Sequence, residues 1–259
     1  MNLLDLTLPS PAENLACDEA LLDWREENGG EDILRFWESP ETFVVVGYAN
    51  KIAKEANVEN CRAGQIPIFR RCSGGGTVLQ GRGCLNYALI LRIAENSPLA
   101  GISGANRFIM ERNRAAIEMV GRVTPCAPGG GQRIARPTVQ GHTDLTLVTR
   151  HSSLVTSMKF SGNSQRRRKN FLLFHGTFLL NFDLALVSRF LRMPSKQPDY
   201  RQSRSHEKFL ANLNLPAVEV KDALKKVWGS TTELRDLPKS GIQKLAAEKY
   251  STDEWNLKF

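Results

Sequence analysis

Residues 66–91 read IPIFRRCSGGGTVLQGRGCLNYALIL, two apolar runs on either side of three consecutive glycines. This stretch constrains the fold more than any other, because it predicts strand, glycine loop, strand. Leu85, Tyr87, Leu89 and Leu91 recur at every second position, the period of a sheet. Further β-type runs are ILRFWESPETFVVVGYAN, read as two short strands around a Ser39-Pro40 turn, then HTDLTLV, and FLLFHGTFLLNF, a strand or pair. Helices are expected before and after these runs. Ser10-Pro11-Ala12-Glu13 combines a capping serine, a proline at the first helical position and a glutamate that completes a capping box, and Gly29-Gly30 ends that helix. Asn106 to Val120 is amphipathic, Leu184 to Met193 reads as a helix, and two short helices are expected near Val218–Trp228 and Lys239–Tyr250. Strands cluster instead of alternating with helices. The expected fold class is therefore α+β, a mixed, largely antiparallel sheet with flanking helices, and not a doubly wound one.

Composition removes several classes of function. No run approaches the roughly 20 apolar residues of a membrane span, and the opening MNLLDLTLPSPAEN has neither a basic nor an uninterrupted apolar segment of a secretory signal. The five cysteines, Cys17, Cys61, Cys72, Cys84 and Cys126, are scattered without a Cys-x-x-Cys pair, which argues against a disulfide framework or a zinc cage. A cytoplasmic location follows as the expectation. The net charge of +8 suits an acidic partner. No zinc-finger, RRM or helix-turn-helix pattern supports nucleic acid, and the basic run Arg166-Arg167-Arg168-Lys169 reads as a solvated loop.

Four motifs can carry chemistry. In Arg70-Arg71-Cys72-Ser73-Gly74-Gly75-Gly76-Thr77-Val78, successive glycines let backbone N–H groups approach an anion, with two arginines upstream, although a hairpin turn explains three glycines equally well. It is not a Walker loop, since no Gly-Lys-Ser/Thr follows. Lys159-Phe160-Ser161-Gly162-Asn163 places a lysine beside a Ser-Gly turn, where an ammonium could stabilise developing negative charge. Gly141-His142-Thr143-Asp144-Leu145 offers an aspartate for Mg²⁺ or for a turn. Phe174-His175-Gly176-Thr177 sets an imidazole between apolar stretches.

Together, in this order, these motifs resemble the lipoate–protein ligase A family of the biotin/lipoate ligase and octanoyltransferase superfamily. The resemblance runs from about Asn14 to Leu184, through RRCSGGGTVLQGRGCLNY, GHTDL, KFSGNSQRR and FHGTFLLNFDL, while the GRGRxGR loop of biotin ligases is absent. It implies a catalytic domain over 1–210, a short helical C-terminal extension over 211–259 and no full accessory domain. It implies ATP and Mg²⁺ as cofactors, lipoate or octanoate as substrate, and an acyl-adenylate passed to a lysine of a lipoyl domain or glycine-cleavage H protein, with a separate accessory subunit as a further partner. Lys159 becomes the catalytic residue. Arg71, Ser73, Gly74, Gly75, Gly76, Thr77, Val78, Asn86, Asp144, Ser161, Gly162 and His175 become binding residues, with Asp144 toward Mg²⁺. Trp37, Val46, Tyr48 and His175 are the expected walls of an acyl tunnel.

The same resemblance carries an alternative: an octanoyl- or lipoyltransferase that takes its acyl group from acyl carrier protein or H protein without ATP, through a cysteine thioester. Cys126 is the first candidate thiol and Cys72 the second. Thr143 replaces the asparagine frequent in the ligases, and Ser164-Gln165 is closer to the acyltransferase branch than to the ligases' usual alanine–tyrosine.

Overall fold

The structure is a computed structural model that describes residues 1–123, 136–151, 154–194 and 196–259. In chain order, the first half holds β1 (Asn2–Asp5), α1 (Pro11–Asn28), β2 (Ile33–Trp37), β3 (Phe43–Val46), the short helices α2 (Ile52–Glu55) and α3 (Val58–Ala63), β4 (Ile68–Arg70), β5 (Val78–Gln80), β6 (Cys84–Arg92) and α4 (Ile102–Val123). The second half holds β7 (Arg136–Gln140), β8 (Asp144–His151), β9 (Leu154–Arg167), β10 (Phe171–Leu179), α5 (Ala185–Phe190), α6 (His206–Phe209), α7 (Ala217–Trp228), β11 (Thr232–Glu233), α8 (Lys239–Leu245) and α9 (Asp253–Asn256). The strands form an eight-stranded sheet, β11-β1-β2-β6-β10-β9-β8-β7, and a three-stranded sheet, β4-β3-β5. In the large sheet β1 pairs in parallel with β2 and β11, and all other pairs are antiparallel. The expected α+β class holds.

The period-2 pattern of β6 sorts the core. Leu85, Tyr87, Leu89 and Leu91 face α4 and α7 with Leu34, Phe36, Phe174 and Phe178. Ala88 and Ile90 point the other way, against Cys17, Ala20 and Leu21 of α1. Because both faces are covered, β6 is buried along almost its whole length. Helix α1 starts as the sequence predicts: Ser10 accepts from the Glu13 N–H at 3.2 Å, and Glu13 accepts from the Ser10 N–H at 2.9 Å. It ends at Gly29, whose φ of 67° favours a residue without Cβ.

Several expectations change. The triple glycine is not a hairpin turn, because β4 and β5 both pair with β3 and not with each other, so the loop crosses the end of β3. Lys159–Asn163 is not a turn. It lies inside the 14-residue strand β9, whose hydrogen bonds to β8 and β10 override the turn preference of Ser, Gly and Asn. FLLFHGTFLLNF yields one strand, and the 184–193 helix shortens to α5. Arg166 and Arg167 belong to β9, Arg167 bonds the Leu99 and Ala100 carbonyls, and Arg168 pairs with Asp23, so the basic run is not a solvated loop. Residues 124–135, with the proline- and glycine-rich sequence PCAPGGGQRIA, lie outside the described residues.

The C-terminal elements pack back onto the sheet that carries the glycine loop. The Asn256 carboxamide oxygen accepts the Arg70 N–H at 2.9 Å, the Trp255 indole donates to the Arg70 carbonyl at 2.8 Å, and Tyr250 and Lys249 both bond Glu19 of α1.

The packing of α7 gives a stability test. Leu224 is fully buried and Val218 is 61% exposed on the same helix. Leu224→Ala should cost about 2–5 kcal/mol in urea unfolding, and Val218→Ala less than about 0.5 kcal/mol. Equal effects would contradict this orientation of the helix.

Candidate active site

Cross-strand pairing builds one wall of a cavity. Trp37, Asn86, Thr177, Gly162 and Asp144 lie in one row across β2, β6, β10, β9 and β8. Residues paired in this way share a face. The opposite wall is the small sheet, with Val45, Val78 and Gln80, and Leu15 and Asp18 of α1 close one end. The cavity measures about 370 Å³.

Lys159 reaches this cavity through a bulge. Thr146 pairs with Lys159 but Leu145 pairs with Ser161, so Phe160 is an extra residue in β9. A bulge re-aims a side chain. Here it brings Lys159 onto the face of Gly162, and Phe160 goes into the core on the other side. A side chain at position 162 would begin 2.9 Å from the Lys159 Nζ and push the ammonium aside. Lys159 Nζ lies 2.7 Å from Asp144 Oδ1, and the Tyr200 hydroxyl donates to Asp144 Oδ2 at 2.6 Å. Burial and the Asp144 charge push the Tyr200 hydroxyl well above its usual pKa, so it stays a donor.

Asp144 is therefore engaged at both oxygens. Among the described residues no group of three His, Cys, Asp or Glu side chains could hold a metal ion. The described residues thus offer no three-ligand cage, and a Mg²⁺ ion here would be held by substrate phosphates with Asp144 as the nearby carboxylate.

Arg71 turns inward. Its Nη2 donates to the Gly74 and Gly76 carbonyls, both at 2.6 Å, and its Nε to Ser73 Oγ at 3.2 Å. Burial lowers its pKa to about 10. Arg70, the other arginine expected to face an anion, donates to the Gly47, Tyr48 and Asn50 carbonyls. Both guanidiniums thus hold backbone in place. Gly75, at φ 83°, lies against Arg71 and Ser164, a conformation that favours glycine. Arg71, Gly75, Gly76, Thr77 and Val78 line the cavity, as do Asn86, Ser161, Gly162 and His175; Ser73 and Gly74 do not. Asn86 accepts from Thr177, which accepts from Gln80, both at 2.6 Å.

Of the expected tunnel walls, Trp37 and His175 line the cavity. Val46 does not: the alternation of β3 turns Val44 and Val46 toward α5 and gives the cavity Val45. Tyr48 is 39% exposed and packs against Trp255 outside. The sequence reading missed Asp18 and Arg35. A buried arginine in an apolar strand was the available signal. Arg35 is fully buried and pairs with Asp18 Oδ1, and Asp18 Oδ2 lies 3.1 Å from His175 Nδ1.

The four described cysteines are buried. Burial raises the Cys17 thiol to about 11 and the Cys72 and Cys84 thiols to about 12, and it raises Cys61 as well. Such thiols hold almost no thiolate at neutral pH. Cys72, although it adjoins the glycine loop in sequence, packs in the core beneath α1 and does not line the cavity. Cys126 lies outside the described residues.

With this geometry, comparison with known proteins is informative. The profile of the "Lipoyl protein ligase A/B catalytic domain" matches residues 10–228. The chain belongs to this family. The octanoyltransferase LipM of Halalkalibacterium halodurans is 26% identical over 96% of this chain and 95% of its own length, and that of Bacillus subtilis is 27% identical over the same shares. Among solved structures, the bi-partite lipoate protein ligase of Thermoplasma acidophilum, studied with its E2 lipoyl domain, superposes with a TM-score of 0.78 at 22% identity over 99% of this chain and 95% of that one. A lipoate-protein ligase A bound with ATP superposes at 0.72, 24% identical over 99% and 98%. Both confirm the lipoyl ligase A/B fold. No helix among the described residues is long and apolar enough to cross a membrane.

Two expectations follow for this lipoyl ligase A/B domain. A thiol reagent under native conditions should leave Cys17, Cys61, Cys72 and Cys84 unmodified by peptide mapping, and labelling of any of them would contradict the burial described. The second concerns Asp18. Burial raises its pKa, but Arg35 and the His175 hydrogen bond outweigh that and hold it below the usual carboxylate value. Its stabilisation is full above the unfolded-chain value of about 3.9 and is lost as pH falls through the lower folded value. The stability gap between wild type and Asp18→Asn should shrink in acid. A gap independent of pH would show that the carboxylate charge contributes nothing.

Proposed function

We propose that the protein is an acyltransferase that moves an octanoyl or lipoyl group from a carrier-bound thioester to a lysine of a lipoyl domain, without ATP. The observation that carries this reading is the match to octanoyltransferases along 96% of the chain. The geometry supports it. An apolar wall with Trp37, Val45 and Val78 suits an alkyl chain, and Lys159 is the one expected catalytic residue at this cavity. Arg70 and Arg71, the groups an adenylation site would turn toward phosphates, donate to backbone carbonyls of the protein. That is why transfer is preferred over the ATP-dependent ligase.

The chemistry has two steps. A thiolate attacks the thioester carbonyl, the carrier thiolate leaves, and an acyl-enzyme thioester forms. The neutral amine of the acceptor lysine then attacks that thioester, the C–S bond breaks, the nitrogen gives up one proton to the departing enzyme thiolate, and an amide and the free thiol result. In both steps the carbonyl oxygen gains negative charge, which the Lys159 ammonium stabilises after exchanging its contact with Asp144. Cys126 is the thiol to test. Acidic lipoyl domains suit the net charge of +8, and a neighbour in fold was studied with its E2 lipoyl domain.

The test is octanoyl-carrier protein plus unmodified lipoyl domain, in EDTA without nucleotide, followed by intact mass. Wild type should transfer the octanoyl group, Cys126→Ser should form no acyl-enzyme, and Lys159→Ala should lose about 10²-fold or more in rate. Acceptor modification only with lipoate, Mg²⁺ and ATP would overturn the transferase reading in favour of the ligase.

A further inference from the structure

Behind the cavity, a polar chain runs from α1 through the large sheet to the glycine loop. Arg35 Nη1 pairs with Asp18 Oδ1, and its Nη2 donates to Asn14 Oδ1 at 2.7 Å. Asp18 Oδ2 meets His175 Nδ1 at 3.1 Å, and His175 Nε2 meets Ser73 Oγ at 2.6 Å. Arg35, Asp18, His175 and Ser73 are all nine-tenths or more buried. An ionised carboxylate can only accept a hydrogen bond, so Nδ1 carries the proton facing Asp18. In the neutral ring Nε2 is then an acceptor, and the Ser73 hydroxyl donates to it. Ser73 Oγ in turn accepts from Arg71 Nε, the same guanidinium that gathers the Gly74 and Gly76 carbonyls. The chain of donors has one direction, and it ends at the loop that lines the cavity.

The residue at each end has a reason to be where it is. His175 and Arg35 lie in one row of β10, β6 and β2, separated by Ala88, whose small side chain leaves room between them for the Asp18 carboxylate arriving from α1. Ser164, the partner of His175 on β9, donates to the Gly74 carbonyl at 2.9 Å, so the next residue in that row also holds the loop.

We propose that Asp18, backed by Arg35, is a positioning residue for the acyl transfer: it fixes His175 as the Nδ1–H tautomer, so that Nε2 anchors Ser73 and seats the glycine loop against the bound acyl group. Both ring nitrogens are then engaged, and His175 offers the cavity its ring and not a free base. The kinetic part rests on the transferase reading; the tautomer does not. With Asn at position 18, the amide can donate as well as accept. His175 can then adopt the Nε2–H form, which reverses its bond to Ser73 and puts a donor where the loop expects an acceptor.

The test uses the full chain labelled with [¹⁵N]histidine, in which His175→Gln assigns the His175 signals among four histidines. Above the imidazole titration, wild type should show Nδ1 protonated and Nε2 bare, and Asp18→Asn should lose that preference. In octanoyl transfer, kcat of Asp18→Asn should fall at least about tenfold, with KM for the acyl donor within about threefold. Ser73→Ala should keep the His175 tautomer and lower kcat, and the double variant should be no worse than the poorer single one. An Nε2–H tautomer in wild type, a normal kcat in Ser73→Ala or additive losses would overturn the proposal. If wild type transfers octanoyl only with ATP, the function reading fails, and the same variants are compared in the lipoate, Mg²⁺ and ATP reaction with the same criteria.

Discussion

A buried guanidinium organises the site half of this molecule. Arg35 lies in a central strand of the large sheet with no exposed surface, and it binds the Asp18 carboxylate, the Asn14 carbonyl and carboxamide, and the Leu6 carbonyl. Those partners come from α1 and from the segment leading into it, so one side chain fixes where the helix crosses the sheet. Removing one partner of a buried ion pair typically costs about 3–5 kcal/mol, because the other charge stays buried and uncompensated. The same pair orients His175, and through it Ser73. The contact that docks the helix therefore also sets the polar backing of the cavity.

The division of labour between the faces of the large sheet follows from this docking. One face carries Leu, Phe and Tyr against α4 and α7 and contributes packing. The other carries Arg35 and His175 in one row and Trp37, Asn86, Thr177 and Asp144 in another; most of these polar groups find partners, but among the described residues the Trp37 indole N–H and the Asn86 amide nitrogen do not. The small sheet stands over these rows, and because β4 and β5 both flank β3, the glycine loop between them is carried across its end and up to the cavity. Arg71, which sequence logic offers to an anion, instead neutralises the carbonyl dipoles that this crossing gathers.

Lys159 shows how a local irregularity makes a site. In a regular strand it would share a face with Ser161 and Asn163. The extra residue Phe160 gives it the face of Gly162, opposite Asp144, and Tyr200 holds the far oxygen of that carboxylate from the segment between α5 and α6. The lysine is thus held at the cavity wall by that carboxylate, the arrangement on which the proposed acyl transfer draws.

Much of this was legible in the sequence. The capping box and Gly29 mark the ends of α1 because they act within a turn of backbone, and the alternation of Leu85 to Leu91 marks β6 because its period is local. The glycine loop, Lys159 and His175 are each ordinary alone and stand out through their order along the chain, which resembles that of a known family. What the sequence could not specify were relations between distant segments. Asp18 and Arg35 lie 17 residues apart and look like an ordinary helix acid and strand base until α1 docks. Whether Val45 or Val46 faces the cavity depends on strand register, which a shift of one residue inverts. The stretch around Ser161-Gly162 reads as a turn because its residues favour turns. It becomes a strand because β8 and β10 supply hydrogen bonds from both sides, a decision that belongs to tertiary pairing and not to local preference.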